Sequence, residues 1–82
     1  MIDFERKDHY GLSDLLRIVA LLRSEDGCPW DRVQTHASLR RSLLEEAYEA
    51  AEAIDREDPV LLKEELGDLL LQVVFHADIE RQ

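Results

Sequence analysis

Eighty-two residues carry 19 Asp and Glu against 10 Lys and Arg, a net charge of −9 at pH 7. Domains typically run to about 100–150 residues, so the length allows one small domain whose core is marginal without a partner subunit. The charge argues against a nucleic-acid polymer or an anionic membrane surface as partner, because both select basic faces, and no apolar run approaches the roughly 20 residues that span a bilayer.

Met1–Lys7 lacks the apolar core of a signal peptide. The single cysteine, Cys28, has no internal disulfide partner. Both observations suit a reducing, cytoplasmic setting. The first predicted helix covers about Asp14–Arg23, with Leu12, Leu15, Leu16, Val19 and Leu22 at helical spacing and Ser13 as N-cap. Gly27 and Pro29 then break the pattern across 24–31. A second helix is expected from Thr35 or His36 to about Ile54. Leu39, Leu43, Ala47, Ala50 and Ile54 form its apolar stripe, and Thr35 or Ser38 its cap. Asp58-Pro59 restarts the chain as a third helix towards the C-terminus, with Asp58 capping and Pro59 in the first turn. Leu62, Leu66, Leu69, Leu70, Val73, Val74 and Ala77 give that helix a wide apolar face, and Gly67 inside it suggests a close helix approach or room for a ligand. The reading is an all-α fold: an antiparallel helical hairpin plus a short N-terminal helix, completed as a bundle by dimerisation.

The charge is concentrated. Between Glu45 and Asp68 stand ten acids and only two bases, Arg56 and Lys63, so this window holds −8 of the net −9. Within it, Glu46 and Glu49 lie three apart on the second helix, and Glu65 and Asp68 three apart on the third. Each pair therefore shares a helix face. Both pairs border the apolar stripes, and a hairpin brings them face to face. Spacing alone also fits a solvated acidic surface. If the four are partly buried they repel one another, and a divalent cation removes the conflict. All-oxygen ligands without imidazole favour Mg²⁺, with Mn²⁺ possible, over iron. Mg²⁺ commonly completes its shell with water and substrate phosphates.

Gly27-Cys28-Pro29-Trp30-Asp31, Gln34-Thr35-His36 with Ser38-Leu39, Leu44-Glu45-Glu46-Ala47-Tyr48-Glu49, Glu64-Glu65-Leu66-Gly67-Asp68-Leu69-Leu70 and Gln72-Val73-Val74-Phe75-His76-Ala77 together resemble the MazG family of nucleoside triphosphate pyrophosphohydrolases. The likeness runs from about Leu12 to Ala77. It implies an all-α, dimeric fold and Mg²⁺-dependent hydrolysis of a nucleoside triphosphate to the monophosphate and pyrophosphate, a cleaning of the nucleotide pool. It implies Glu46, Glu49, Glu65 and Asp68 as metal ligands, with Glu45 orienting ligand or water. The catalytic carboxylates then fall among Glu45, Glu46 and Glu49. Trp30 is a candidate for stacking on a base or for anchoring its loop. Gln34 and His36 are candidates for bonding the ligand or nearby backbone. Arg32, Arg40, Arg41 and Lys63 are the bases near the motifs that could meet a phosphate. Residues 1–82 read as one MazG-like domain that stops short of a further basic helical segment usual in the family. That shortfall supports an alternative: a non-catalytic or regulatory helical dimerisation module with weak metal or nucleotide binding.

Overall fold

A computed structural model describes residues 9–81. The reading made for Met1–Lys7 lies outside them. Four helices follow in order: α1 (Leu12–Leu22), α2 (Pro29–Arg32), α3 (His36–Asp55) and α4 (Pro59–Arg81). No strand occurs among the described residues, so the fold is all-α.

The start of α1 differs from expectation. Its N-cap is Gly11 rather than Ser13, and the carboxylate of Asp14 accepts from the Gly11 N–H at 2.9 Å. The acid three residues on supplies the reciprocal bond that a Ser cap would otherwise invite. After α1 the chain turns sharply. Gly27 N donates to Ser24 O at 3.0 Å and Cys28 N to Leu22 O at 2.8 Å. A Cβ on Gly27 would fall on the carbonyl oxygens of Leu21 and Leu22, so this turn requires glycine. The break read across 24–31 also contains the single turn α2. Pro29 sits at its first position, where a missing N–H costs nothing, and Arg32 N donates to Cys28 O at 3.0 Å.

α3 begins as expected at Thr35. Ser38 N donates to Thr35 Oγ1 at 3.1 Å, while Thr35 N donates to Ser38 Oγ at 2.8 Å. Ser38 thus fills the position usually held by Glu in a capping box. The buried stripe of α3 is narrower than the sequence suggested. Leu39, Ala50 and Ala53 are buried and Leu43 is half-buried, whereas Ala47 and Ile54 are exposed. The inward line is Leu39, Leu43, Glu46, Ala50, Ala53, with a carboxylate at its centre. At about 100° per residue, Ala47 and Ile54 have rotated off that line.

The α3–α4 loop closes on its own backbone. Asp58 N donates to Ala53 O at 3.1 Å and Glu57 N to Ile54 O at 3.0 Å. Glu57 adopts the left-handed region at φ 54°, as a Schellman motif demands at this position. Asp58 Oδ1 then accepts from Leu61 N at 3.0 Å and starts α4.

α3 packs along α4, and α1 packs against α4. Val19, Leu39, Val74 and Phe75 form the core, with Leu15 and Ile79 against it. Gly67 has open space where its Cβ would sit, so no helix among the described residues approaches closely there. One buried ion pair joins α1 to α4: Arg23 Nη1 donates to Asp78 Oδ2 at 2.8 Å, with both side chains about 95% removed from solvent. Arg23 Nε also donates to the Asp31 carbonyl at 3.3 Å, and Arg81 Nε donates to Asp78 Oδ1 at 3.0 Å. The guanidinium thus ties α2 to the far end of α4.

Candidate metal centre

Glu46 interrupts the buried line of α3. Glu49 lies one turn further on, and Glu65 comes from α4. One carboxylate oxygen of each lies within 4.8 Å of those of the other two. Glu46 and Glu65 are half-buried and Glu49 is exposed. The Oε2 atoms of Glu46 and Glu65 are out of solvent and have no hydrogen-bond partner. Among the described residues no Lys or Arg forms an ion pair with any of the three.

The electrostatics follow from that crowding. A hydrogen bond to Glu49 pushes the carboxyl of Glu65 up to about 7, and burial and the charges of Glu49, Glu46 and Asp68 add to the effect. Burial raises Glu46 above the usual carboxylate range, reinforced by the charges of Glu49 and Asp68. Like charges this close disfavour full ionisation of the three. The crowding and the orphaned oxygens make the cluster a candidate cation site. The donor set holds neither imidazole nor thiolate, which suits Mg²⁺ or Mn²⁺.

The predicted residues divide. Glu46, Glu49 and Glu65 converge. Asp68 is exposed and stands outside the 4.8 Å cluster, although its charge acts on both Glu46 and Glu65. Glu45 is not in the cluster. Its Oε1 accepts from Arg41 Nε at 2.9 Å across one exposed turn. Arg40 and Lys63 are exposed. Trp30 is 61% exposed on α2. Gln34 is engaged locally, donating from Nε2 to Trp30 O at 2.9 Å and accepting from Ser38 Oγ at 2.8 Å.

His36 faces α4 at the far end of the hairpin. Its Nδ1 is 2.7 Å from His76 Nδ1, its Nε2 is 2.6 Å from Glu80 Oε2, and the two rings are parallel within 3°. One ring must donate and the other accept in the Nδ1 contact. Burial, and then the charge of His36, lowers His76 below the usual imidazole range, and its Nε2 is out of solvent without a hydrogen-bond partner. Sequence reasoning did not find Glu80 or the Arg23–Asp78 pair, whose partners lie 44 and 55 positions away. Gln72 stood in a quoted motif without a role.

Comparison with known proteins adds independent weight. A sequence model of the MazG nucleotide pyrophosphohydrolase domain matches residues 34–82. The chain is 58% identical over 69 residues to the nucleoside triphosphate pyrophosphohydrolase/pyrophosphatase MazG of Thermotoga maritima, covering 84% of this chain and 27% of that protein. It is 52% identical over 69 residues to the nucleoside triphosphate pyrophosphohydrolase of Escherichia coli K12, covering 83% and 26%. It is also 49% identical over 75 residues to the uncharacterized protein YabN of Bacillus subtilis, covering 92% and 15%. The chain spans about a quarter or less of the length of these relatives.

Proposed function

The chain belongs to the MazG nucleotide pyrophosphohydrolase family, and from that membership we propose that its carboxylate cluster serves the hydrolysis of a nucleoside triphosphate to the monophosphate and pyrophosphate. The observation that carries the reading is the convergence of Glu46, Glu49 and Glu65, two of them with a buried, unpartnered oxygen. These residues would hold Mg²⁺, with Asp68 within electrostatic reach. The ion would supply charge neutralisation on the phosphate oxygens of the substrate. Water adds to the α-phosphorus, the bond to the bridging oxygen breaks, and pyrophosphate leaves. A carboxylate oxygen of Glu46 or Glu49 not used as a ligand takes the water's proton. Arg40, Arg41 and Lys63 are the cations available to the outer phosphates.

The proposal includes a dimer formed through α4. Leu66, Leu70 and Val73 recur at i, i+4 and i+7 and are each about half exposed. Such a stripe on α4 is suited to burial against a second copy. A second functional reading, a non-catalytic metal- or nucleotide-binding module, draws on the absence of any Lys or Arg paired to the cluster among the described residues.

One assay separates the two readings. The chain is incubated with nucleoside and deoxynucleoside triphosphates and Mg²⁺, and the products are resolved. Monophosphate with pyrophosphate in equal amounts supports the hydrolase, and Glu49→Gln should abolish it. Diphosphate with orthophosphate would place attack at the wrong phosphorus. Metal binding without turnover would favour the module.

A further inference from the structure

His36 and His76 both stand in the sequence motifs, yet the carboxylate cluster uses neither. They meet at the end of the hairpin opposite the loop that joins α3 to α4. His36 lies in the first turn of α3, three positions before Leu39, so the two share a helix face. His76 follows Phe75 in α4. Leu39 and Phe75 belong to the core, so the imidazole pair borders the packing that holds α3 to α4.

The contacts fix how many protons the pair can hold. The Nδ1 atoms of the two rings are 2.7 Å apart, and His36 Nε2 is 2.6 Å from Glu80 Oε2. A carboxylate only accepts, so His36 Nε2 carries a hydrogen. With both rings neutral, His36 Nδ1 is bare and accepts from His76 Nδ1–H. With one added proton, His36 donates from both nitrogens, while His76 accepts at Nδ1 and carries its hydrogen on Nε2. Both states keep every contact. A second added proton does not. Two N–H groups then point at each other and two positive charges stand side by side. The Nε2 of His76 is out of solvent without a partner, so nothing there compensates the second charge.

The other charges around the pair are occupied elsewhere or stand in solvent. On α4, Asp78 and Arg81 bond each other, and Asp78 also holds Arg23 of α1. Arg17 of α1 borders Asp78 and Arg81. On α2, Arg32 donates to the Glu25 carbonyl. Arg40, one turn beyond His36 on α3, is exposed. Glu80 is the charged group bonded to the pair.

We infer that His36, His76 and Glu80 form an acid-released latch between the start of α3 and the last turns of α4, shut while the two rings share at most one added proton and opened by the second. The inference stands apart from the hydrolase reading. Its direction follows from linkage. Burial, and then the charge of His36, holds His76 below the usual imidazole range in the folded chain, so the latch is shut above that range and is lost as pH falls through it and below.

The test uses the full chain, labelled with ¹⁵N at histidine and followed by NMR from about pH 8 to about pH 5, the span in which imidazoles titrate. His9, exposed and outside the pair, is the internal reference. Hydrogen exchange of the amides of residues 39–43, corrected for its intrinsic pH dependence, reports opening. The inference expects His36 and His76 to titrate as a linked pair in two separated steps. Protection should fall about tenfold or more as the second proton enters, because that opening is local. His36→Gln keeps a donor and an acceptor towards His76 but no proton site. His76 should then titrate in a single step at higher pH than in the wild type, and protection should no longer fall with acid. His76→Phe, which keeps a ring without a proton site, should likewise abolish the acid step, and serves if His36→Gln lacks native helical content. Glu65 is common to all three proteins, so its titration cancels in the comparison. Independent titration of the two rings would overturn the inference. So would linked titration without loss of protection, or an equal loss in a folded variant.

Discussion

Two carboxylates of α4, Asp78 and Glu65, meet charged neighbours of opposite kinds. At the end of α4, Asp78 is matched by Arg23 and bonded again by Arg81. Near its start, Glu65 faces Glu46 and Glu49 with no cation among the described residues. The first arrangement is complete within the chain and holds α1, α2 and α4 together. The second has no such partner, and the crowding pushes the Glu65 carboxyl up to about 7. The difference marks the second group as the candidate for a cation from outside the chain.

That contrast breaks most visibly at Asp78. Asp78→Asn leaves the Arg23 guanidinium buried without its counter-ion, and loss of one partner of a buried pair costs about 3–5 kcal/mol. Urea denaturation should show this loss with or without Mg²⁺. A loss below about 1 kcal/mol would mean that the pair is no anchor. Gly27→Ala, which forces a methyl onto the Leu21 and Leu22 carbonyls, should cost about 1–3 kcal/mol by overpacking, again without regard to metal.

The carboxylate cluster should behave in the reverse sense, with stability that depends on pH and cation. Glu65 is raised to about 7 in the folded chain against a model value of 4.5. The folded state therefore binds more protons than the unfolded one between about pH 4.5 and 7. Its contribution is fully present below the lower value and is lost as pH rises through the upper one. His76, lowered by burial, acts with the opposite sign: its contribution is lost as pH falls through the unfolded imidazole range. Comparing melts of the wild type with Glu65→Gln isolates the carboxylate. The metal-free wild type should lose stability relative to the variant as pH rises from about 5 to 8, and added Mg²⁺ should remove that loss by replacing the proton. Parallel curves for the two proteins would separate Glu65 from the cluster.

The smallest effect lies in the loop between α3 and α4, away from both charged groups. Glu57 holds a left-handed backbone angle that glycine adopts without steric cost, so Glu57→Gly should stabilise the chain by about 0.5–1 kcal/mol. A destabilised variant would assign the Glu57 side chain a contact of its own.

The same contrast explains what the sequence made legible. Thr35, Asp58-Pro59 and the three-residue spacing of the acids act within one or two helical turns, and they appear in the structure as read. Convergence of Glu46 and Glu49 with Glu65 needed only the hairpin. The Arg23–Asp78 pair joins residues 55 positions apart, and no local pattern announces it. His36 and His76 are 40 apart and meet for the same reason. Ser13 lost the α1 cap to Gly11 because Asp14 was within reach of its N–H. Ala47 and Ile54 left the stripe because hydrophobicity alone did not reveal that Glu46, rather than an apolar residue, occupies its centre. Glu45 and Glu46 are neighbours in the sequence yet have different surroundings, Arg41 for one and the carboxylate cluster for the other, because one residue turns a side chain by about 100° around the helix.

The most direct measurement is the thermal midpoint of the metal-free chain as Mg²⁺ is added, for the wild type and for Glu46→Gln. A cation that binds only the folded state must raise the wild-type midpoint, by the equivalent of about 2.7 kcal/mol when its concentration is a hundred times the dissociation constant. Glu46→Gln, which removes one ligand and its charge, should lose most of that rise while remaining folded. A wild-type midpoint indifferent to Mg²⁺ and Mn²⁺, or an equal rise in both proteins, would contradict the assignment of this cluster as the metal centre.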